Sequence, residues 1–152
     1  VNMADAVAPA LSMMEPQLRQ RKITITRTLP DQPVIIMGDR VRVEQVIINL
    51  LRNAIDATNA VPDATIDILL AAGETAVLTV RDNGEGIGDF KNLFEPFYTT
   101  KQPGDGVGLG LAISSGIVND LGGRLKARNG RAGGAVFEVQ LPILEGGQEA
   151  AE

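Results

Sequence analysis

Residues 39–59 read DRVRVEQVIINLLRNAIDATN, a pattern that predicts a long helix with Asp39 as its N-cap. At roughly 100° per residue, one narrow polar stripe of this helix contains Gln45, Asn49, Asn53 and Asp56. Aliphatic residues cover nearly all the rest of the surface, so most sides of the helix are expected to be buried. Because a buried polar group without a partner costs about 1–3 kcal/mol, the stripe needs a partner.

Two interpretations of this stripe are open. The stripe can face a ligand pocket, in which an Asn carbonyl oxygen serves a hard cation such as Mg²⁺ that also holds phosphate oxygens. It can instead be the exposed polar face of an amphipathic helix. The helix alone slightly favours the exposed face, but two glycine segments further along the chain favour the pocket.

The rest of the chain predicts one α/β domain of alternating helices and strands. Asn2 is expected to cap the first helix, and Gly73 and Glu74 to separate a strand pair. The domain is expected to cover residues 1–142, and the polar tail 143–152 is expected to be disordered. The predicted helices beyond the long one lie at 3–20 and 111–121, and the predicted strands lie at 22–29, 34–37, 65–72, 76–82, 124–128 and 135–141.

The first glycine segment follows Asp82 at the predicted end of a strand, with glycines at 84, 86 and 88. A carboxylate in this place can accept a hydrogen bond from an exocyclic amine, and glycines let a ligand approach the backbone closely. The same Asp-Asn-Gly sequence is also common in hairpin turns. Because no alternating strand follows it here, a binding role is favoured.

The second glycine segment is Gly106-Val107-Gly108-Leu109-Gly110, which precedes a predicted helix. Free N–H groups and the positive end of the helix dipole can receive phosphate there. The segment fits neither a dinucleotide fingerprint, which would need glycine where Leu111 stands, nor a P-loop, since no Gly-Lys-Ser/Thr occurs. A different kind of phosphate site is required.

Apolar residues in the stretch 89–106 follow neither a helical nor a strand period, and the stretch is predicted to form a lid. Four of the chain's five Phe and Tyr residues lie in this stretch, just before Lys101. Such a loop can fold over a ligand and anchor itself by aromatic burial, with Lys101 near phosphate. An interaction loop with exposed aromatic rings is the alternative, and both can hold.

Composition excludes several functions. A net charge of −5 without a basic tract argues against a nucleic-acid surface. The absence of cysteine and histidine excludes thiol chemistry, Ser-His-Asp triads and the usual zinc sites. No apolar run approaches the length of a membrane span, so no membrane contact by this fragment is expected.

Four motifs together resemble the ATP-binding catalytic domain of sensor histidine kinases. The order and spacing of the motifs fit from about residue 1 to 142, and the lid sequence is most similar to nitrogen-regulation and dicarboxylate-transport sensors. In this chain the motifs are 49–54 (asparagine box), 82–87 (first glycine box), 94–101 (phenylalanine box) and 106–113 (second glycine box).

The resemblance implies a Bergerat fold, a two-layer sandwich of a mixed, mainly antiparallel sheet against about three helices. It implies ATP and Mg²⁺ as cofactors, with Asn53 as the metal ligand, Asn49 assisting near the phosphates and Asp82 on the adenine amine. Lys101 would reach phosphate from the lid. The other implied nucleotide contacts are Gly84, Gly86 and Ile87 around the base, Thr99 and Thr100 in the lid, and Gly106, Gly108, Leu109 and Gly110 along the phosphates.

Two positions depart from the family pattern. Leu121 stands where many members have histidine before the pair Gly122-Gly123, and Ala135 replaces a common Thr or Ser. Neither position is an implied ligand, so these departures are expected to affect local packing.

The implied function is transfer of the γ-phosphoryl group of ATP to a histidine on a separate dimerisation domain of the same protein. A response regulator would be an indirect partner, the full-length protein would be a homodimer, and this domain would lie in the cytoplasm as part of an inner-membrane sensor. Two alternatives remain: an ATP-hydrolysing clamp of the gyrase, Hsp90 or MutL type, and a nucleotide-sensing module without transfer activity. The clamp is disfavoured because such relatives place a water-activating Glu where this chain has Asn49, a poor base.

Overall fold

The computed structural model describes residues 1–95 and 110–144, which form a five-stranded sheet with three α-helices on one of its faces. The fold is therefore the predicted sandwich. Its elements are a 3₁₀ turn Met3–Ala6, helices α1 (Val7–Gln20), α2 (Arg40–Ala57) and α3 (Gly110–Asp120), and strands β1 (Thr24–Thr28), β2 (Thr65–Ala72), β3 (Thr75–Asp82), β4 (Arg124–Asn129) and β5 (Ala135–Pro142).

The sheet has the order β1-β2-β3-β5-β4, with β1 parallel to β2 and the other neighbours antiparallel. Side chains alternate between its faces. The row containing Ile68, Val80 and Phe137 is buried against the helices, whereas the opposite face carries Asp67 and Arg81, which are not buried. The sheet is thus covered on one face within the described residues.

Helix α2 lies at the centre of the core, and its prediction is confirmed. Asp39 caps it by accepting a hydrogen bond from the N–H of Val41 at 2.9 Å. Within the polar stripe, Gln45 is exposed, whereas Asn49 and Asn53 are half-buried. The aliphatic positions at less than a tenth exposed are Val43, Val46, Ile47, Leu50, Leu51, Ala54 and Ile55.

The N-terminal helix prediction needs a correction, because the α-helix begins at Val7 and not at Met3. Asn2 does act as a cap, since its Oδ1 accepts from Ala4 N at 3.2 Å. The same oxygen also accepts from Val34 N at 3.0 Å. This long-range bond holds the first turn in a tighter 3₁₀ form beside residues 34–36.

The predicted strand at 34–37 is wrong, since only two isolated bridges form there, Asn2 with Ile35 and Ile36 with Ile143. Gly38 follows at once with φ +150°, outside the β region of L residues. The first strand is also shorter than predicted and begins at Thr24. Lys22, with φ +56°, turns the chain out of α1 in a left-handed conformation before pairing can begin.

The remaining elements match their predictions to within one residue, and Gly73 lies between β2 and β3 in a hairpin as expected. Most of the predicted lid, residues 96–106, lies outside the described residues. So do residues 145–152 of the predicted tail. The domain boundary at residue 142 stays a prediction.

Candidate functional site

A cavity of about 640 Å³ opens between the C-terminal part of α2 and the segment that follows β3. Asn53 and Asp56 reach it from α2, and Phe137 from β5 contributes to its lining. The polar stripe of α2 and the first glycine segment therefore meet at one place, as the pocket interpretation requires. The other lining residues are Arg21, Ala57, Asn59, Ala60, Val61, Gly84, Glu85, Gly86, Ile87, Gly88, Asp89, Leu93 and Ala135.

Asp82 lies at the last position of β3, is only 3% exposed and is not itself among the residues that line the cavity. Its Oδ1 accepts hydrogen bonds from Gly84 N at 2.8 Å and Ala135 N at 3.3 Å, and both donors belong to cavity-lining residues. Its Oδ2 is buried and accepts no hydrogen bond from the described residues. An orphaned buried acceptor is costly, so a donor bound in the cavity would satisfy it.

Burial raises the pKa of the Asp82 carboxyl group. The two backbone hydrogen bonds from Gly84 and Ala135 oppose this shift, and the negative charge of Glu85 adds to it. Perturbed carboxyl groups beside cavities are frequent at binding sites. Asp82 is therefore a candidate for a binding group.

The glycines of the first segment are required by close packing. A Cβ on Gly84 would lie 2.3 Å from the carbonyl oxygen of Ala57, at the end of α2. Gly86 adopts φ +82°, a left-handed conformation that L side chains rarely take. Glycine therefore lets the segment lie against α2 and turn along the edge of the cavity.

Two asparagines that sequence reasoning did not single out hold this segment. The side chain of Asn129, at the end of β4, accepts from Ile87 N at 2.7 Å and donates to Ile87 O at 3.2 Å. Asn83 accepts from Thr65 N and donates to Asp63 O, both at 2.9 Å. Asn129 followed by Gly130 at a strand end was the available signal, but the pairing with Ile87 spans 42 residues.

Asn49 and Asn53 lie one helical turn apart and have different surroundings. Asn53 lines the cavity. Asn49 directs its Nδ2 at α3, donating to Gly110 O at 3.3 Å and to Ser114 Oγ at 3.1 Å. The amide groups of α2 thus connect the cavity to the first turn of α3.

The predicted site residues are only partly within the described chain. Asn53, Gly84, Gly86 and Ile87 line one cavity, and Asp82 is hydrogen-bonded to Gly84 of this lining. Gly110 contacts Asn49 on the α3 side. The remaining predicted residues, Thr99, Thr100, Lys101, Gly106, Gly108 and Leu109, lie outside the described residues.

The two departures from the family pattern have different structural settings. Leu121 packs against Gly38, with its Cδ2 3.1 Å from where a Cβ of Gly38 would lie. Ala135 lines the cavity, and its N–H supports Asp82. Since that bond comes from the backbone, it does not depend on which side chain occupies position 135.

Metal-binding residues are sparse. Within residues 1–95 and 110–144, no three Asp or Glu side chains lie together in a group that could hold a metal ion. The acidic residues that line the cavity, Asp56, Glu85 and Asp89, do not form such a group. The same part of the chain contains no helix long and apolar enough to cross a bilayer.

Comparison with known proteins agrees with this geometry. The model of the histidine kinase-, DNA gyrase B- and HSP90-like ATPase family matches residues 38–145. The C4-dicarboxylate transport sensor protein DctB of Rhizobium meliloti is 43% identical over 143 residues, and DctB of Pseudomonas aeruginosa is 37% identical over 150 residues. These alignments cover 91% and 96% of this chain but only 22% and 24% of the two sensors. The chain thus spans about a quarter of their length.

A solved structure of the catalytic domain of histidine kinase ThkA, in a nucleotide-free form, superposes with a TM-score of 0.80 at 30% identity and 93% coverage of both chains. The expected similarity to dicarboxylate-transport sensors is confirmed by the two DctB proteins. This chain belongs to the family of histidine kinase-, DNA gyrase B- and HSP90-like ATPases, as a catalytic domain of the sensor histidine kinase type.

Proposed function

We propose that the domain binds MgATP in the cavity beside Asp82 and donates the γ-phosphoryl group to a histidine on a separate dimerisation domain of the same protein. One observation supports the binding step: the buried Oδ2 of Asp82 accepts no hydrogen bond from the described residues, and Oδ1 of the same group is bonded to Gly84 and Ala135, which line the cavity together with Asn53. Adenine offers an exocyclic amine, the donor that Oδ2 lacks. The cavity volume of about 640 Å³ is in the range of ligand pockets.

The cavity residues also fit Mg²⁺ held together with phosphate. Mg²⁺ is usually bound by one or two protein oxygens with substrate phosphates and water, and not by a full protein cage. The half-buried amide of Asn53 can supply one oxygen, and the absence of an acidic cluster in the described residues agrees with that mode. When bound, the ion would neutralise charge on the phosphate oxygens.

The transfer step needs little covalent chemistry from the protein. In the reaction a histidine nitrogen forms a bond to the γ-phosphorus while the bond to the β,γ-bridging oxygen breaks, and ADP leaves. Catalysis of phosphoryl transfer is mainly positioning and charge neutralisation. Here Asp82 would fix the base, and Asn53 would fix the phosphate end through the ion.

The phosphoacceptor must come from elsewhere, because the chain contains no histidine. Its relatives are sensor proteins, and ThkA has been solved with the response regulator TrrA. We propose that this domain belongs to the cytoplasmic part of an inner-membrane sensor that is a homodimer at full length. A response regulator would receive the phosphoryl group from the histidine and not from this domain.

A reconstitution tests the transfer. The domain is mixed with MgATP labelled on the γ-phosphate and with a histidine-bearing dimerisation helix pair from a related sensor kinase. Acid-labile label on the helix pair is expected, with none on a helix pair whose histidine is replaced by glutamine. Binding of MgATP without any transfer, while a cognate kinase domain labels the same helices, would instead support a nucleotide-sensing module.

The hydrolysing clamp predicts a different result. Asn49 occupies the position at which such clamps carry a glutamate that acts as a general base. The amide nitrogen of Asn49 donates hydrogen bonds to Gly110 O and Ser114 Oγ. ATP hydrolysis by the isolated domain should therefore be slow. Rapid turnover that is lost in Asn49→Ala would favour the clamp.

A further inference from the structure

The first turn of α3 is joined to α2 by hydrogen bonds from one side chain. Nδ2 of Asn49 donates to the carbonyl oxygen of Gly110 and to Oγ of Ser114, at 3.3 and 3.1 Å. Because a carbonyl oxygen can only accept, the Gly110 contact fixes which end of the Asn49 amide faces α3. The Oδ1 atom of Asn49 is thereby turned away from that carbonyl.

Ser114 is an unusual residue for its position. It is fully buried at 0% exposure, one of four polar or charged residues that are buried among those described. Buried hydroxyl groups need hydrogen-bond partners, and the side-chain partner of Ser114 is Asn49, 65 residues away in the chain. An aliphatic side chain would fill the same space without this bond, so packing alone does not explain the serine.

The location of this contact connects it to the site. Asn49 lies four residues before Asn53, on the same stripe of α2. Gly110 is the first residue of α3 and the last residue of the second glycine segment. The contact therefore lies where the α2 stripe passes from the cavity to the beginning of α3.

We propose that Ser114 is a positioning residue that, through Asn49, holds the first turn of α3 at the phosphate end of the site. This inference rests on the proposed binding of MgATP. The side chain of Ser114 does not touch the nucleotide. It fixes the Asn49 amide, and so sets both the orientation of Asn49 Oδ1 and the distance between α3 and Asn53.

The test compares ligands with and without phosphates. Ser114→Ala removes the hydroxyl group, and Ser115→Ala removes a half-buried hydroxyl group from the next position of the same helix as a matched control. Affinities for MgATP and for adenosine are measured on each variant by titration, together with thermal unfolding. One neutral hydrogen bond contributes about 0.5–1.5 kcal/mol. Ser114→Ala should therefore lower the affinity for MgATP about three- to tenfold and the affinity for adenosine less than twofold.

A double substitution checks that Ser114 acts through Asn49. In an Asn49→Ala background, Ser114→Ala should change MgATP affinity by less than about twofold, because the bond that it removes is already absent. If Ser114→Ala lowers the MgATP affinity in the Asn49→Ala background as much as it does in the parent, the inference is overturned. An equal loss of adenosine and MgATP binding in Ser114→Ala would also overturn it, and would indicate only a damaged fold.

The failure of this inference and of the proposed function give different results. If the parent domain does not bind MgATP, the proposed function fails. If the parent binds MgATP, Asp82→Asn does not bind it and Ser114→Ala binds it as the parent does, only the role of Ser114 is overturned. If Ser115→Ala weakens MgATP as much as Ser114→Ala, the effect does not come from the Asn49 contact and the inference is likewise overturned.

Discussion

Asp82 has two carboxylate oxygens in different surroundings. Oδ1 is held by the N–H groups of Gly84 and Ala135, whereas Oδ2 is buried and accepts no bond from the described residues. The first oxygen fixes the position of the group, and the second is the atom that the proposed adenine contact would use.

The raised pKa of Asp82 predicts a pH dependence of stability. Between the ordinary aspartate value of 3.8 and the raised value, the folded protein holds a proton that the unfolded chain has released. The contribution of Asp82 to the free energy of unfolding therefore falls as the pH rises through this window and is constant above it. Urea unfolding of the parent and of Asp82→Asn at closely spaced pH values measures this contribution, and the difference between their pH profiles should have that sign. Profiles that run parallel across the window would contradict the assignment.

Gly84 predicts a steric effect. A methyl group there would lie 2.3 Å from the Ala57 carbonyl oxygen and 3.0 Å from Oδ1 of Asp82, so the segment must move. Gly84→Ala should lower the free energy of unfolding by about 1–3 kcal/mol, the usual cost of overpacking.

The matched control for this substitution is Gly88→Ala, in the same segment. A Cβ on Gly88 meets nothing within 4 Å, and its φ lies outside the left-handed region. The control should be close to neutral in chemical denaturation. Equal stability of the two variants would show that the close approach to Ala57 is not a constraint.

Among the elements, those with strong periodic patterns were predicted well. Helix α2 has an aliphatic surface broken by one polar stripe, and β2 and β3 flank a glycine turn. In these cases the local pattern and the tertiary burial agree. The sequence also predicted that the polar stripe of α2 meets the first glycine segment, and Asn53, Gly84 and Gly86 do line one cavity. The binding roles of these residues and of Asp82 stay predictions.

Elements that depend on distant partners were predicted poorly. The 3₁₀ turn at the N-terminus is linked to Val34 through Asn2, and residues 34–37 make only isolated bridges. The roles of Asn129 and Ser114 come from hydrogen bonds across 42 and 65 residues. Periodicity is a local property, so it does not contain this information.

The hydrogen bonds between Asn129 and Ile87 are expected to stabilise the first glycine segment against local opening. Asn129→Ala removes both hydrogen bonds to Ile87, so the Ile87 amide should exchange with solvent several-fold faster, by local opening. Affinity for ATP and ADP should fall by a similar factor, because the base side of the cavity is loosened. Hydrogen exchange followed by NMR measures the first effect, with Asn119→Ala, an exposed asparagine on α3, as the control. Unchanged exchange at Ile87 would rule out a holding role for Asn129.

At the scale of the whole molecule, the order of the strands places residues from β3, β4 and β5 next to one another at the candidate site. β5 lies between β3 and β4, so that Ala135 and Asn129 flank the end of β3 where Asp82 lies. α2 crosses the same edge and adds Asn53. Asp67 pairs with Arg81, directly before Asp82, but it lies on the opposite face of the sheet and does not line the cavity. The family resemblance implied a mixed, mainly antiparallel sheet, and the strand order itself was not predicted from the sequence.

The binding of adenine at Asp82 is the claim on which the other proposals rest, and a Mg²⁺-dependent ATP titration tests it. Parent and Asp82→Asn are compared, with Asp67→Asn as a control that removes the same charge from the opposite face of the sheet. A hydrogen bond to a charged group contributes about 1.5–3 kcal/mol, so Asp82→Asn should weaken ATP by about ten- to a hundredfold, while Asp67→Asn binds as the parent does. Equal affinities of the parent and Asp82→Asn would contradict the claim.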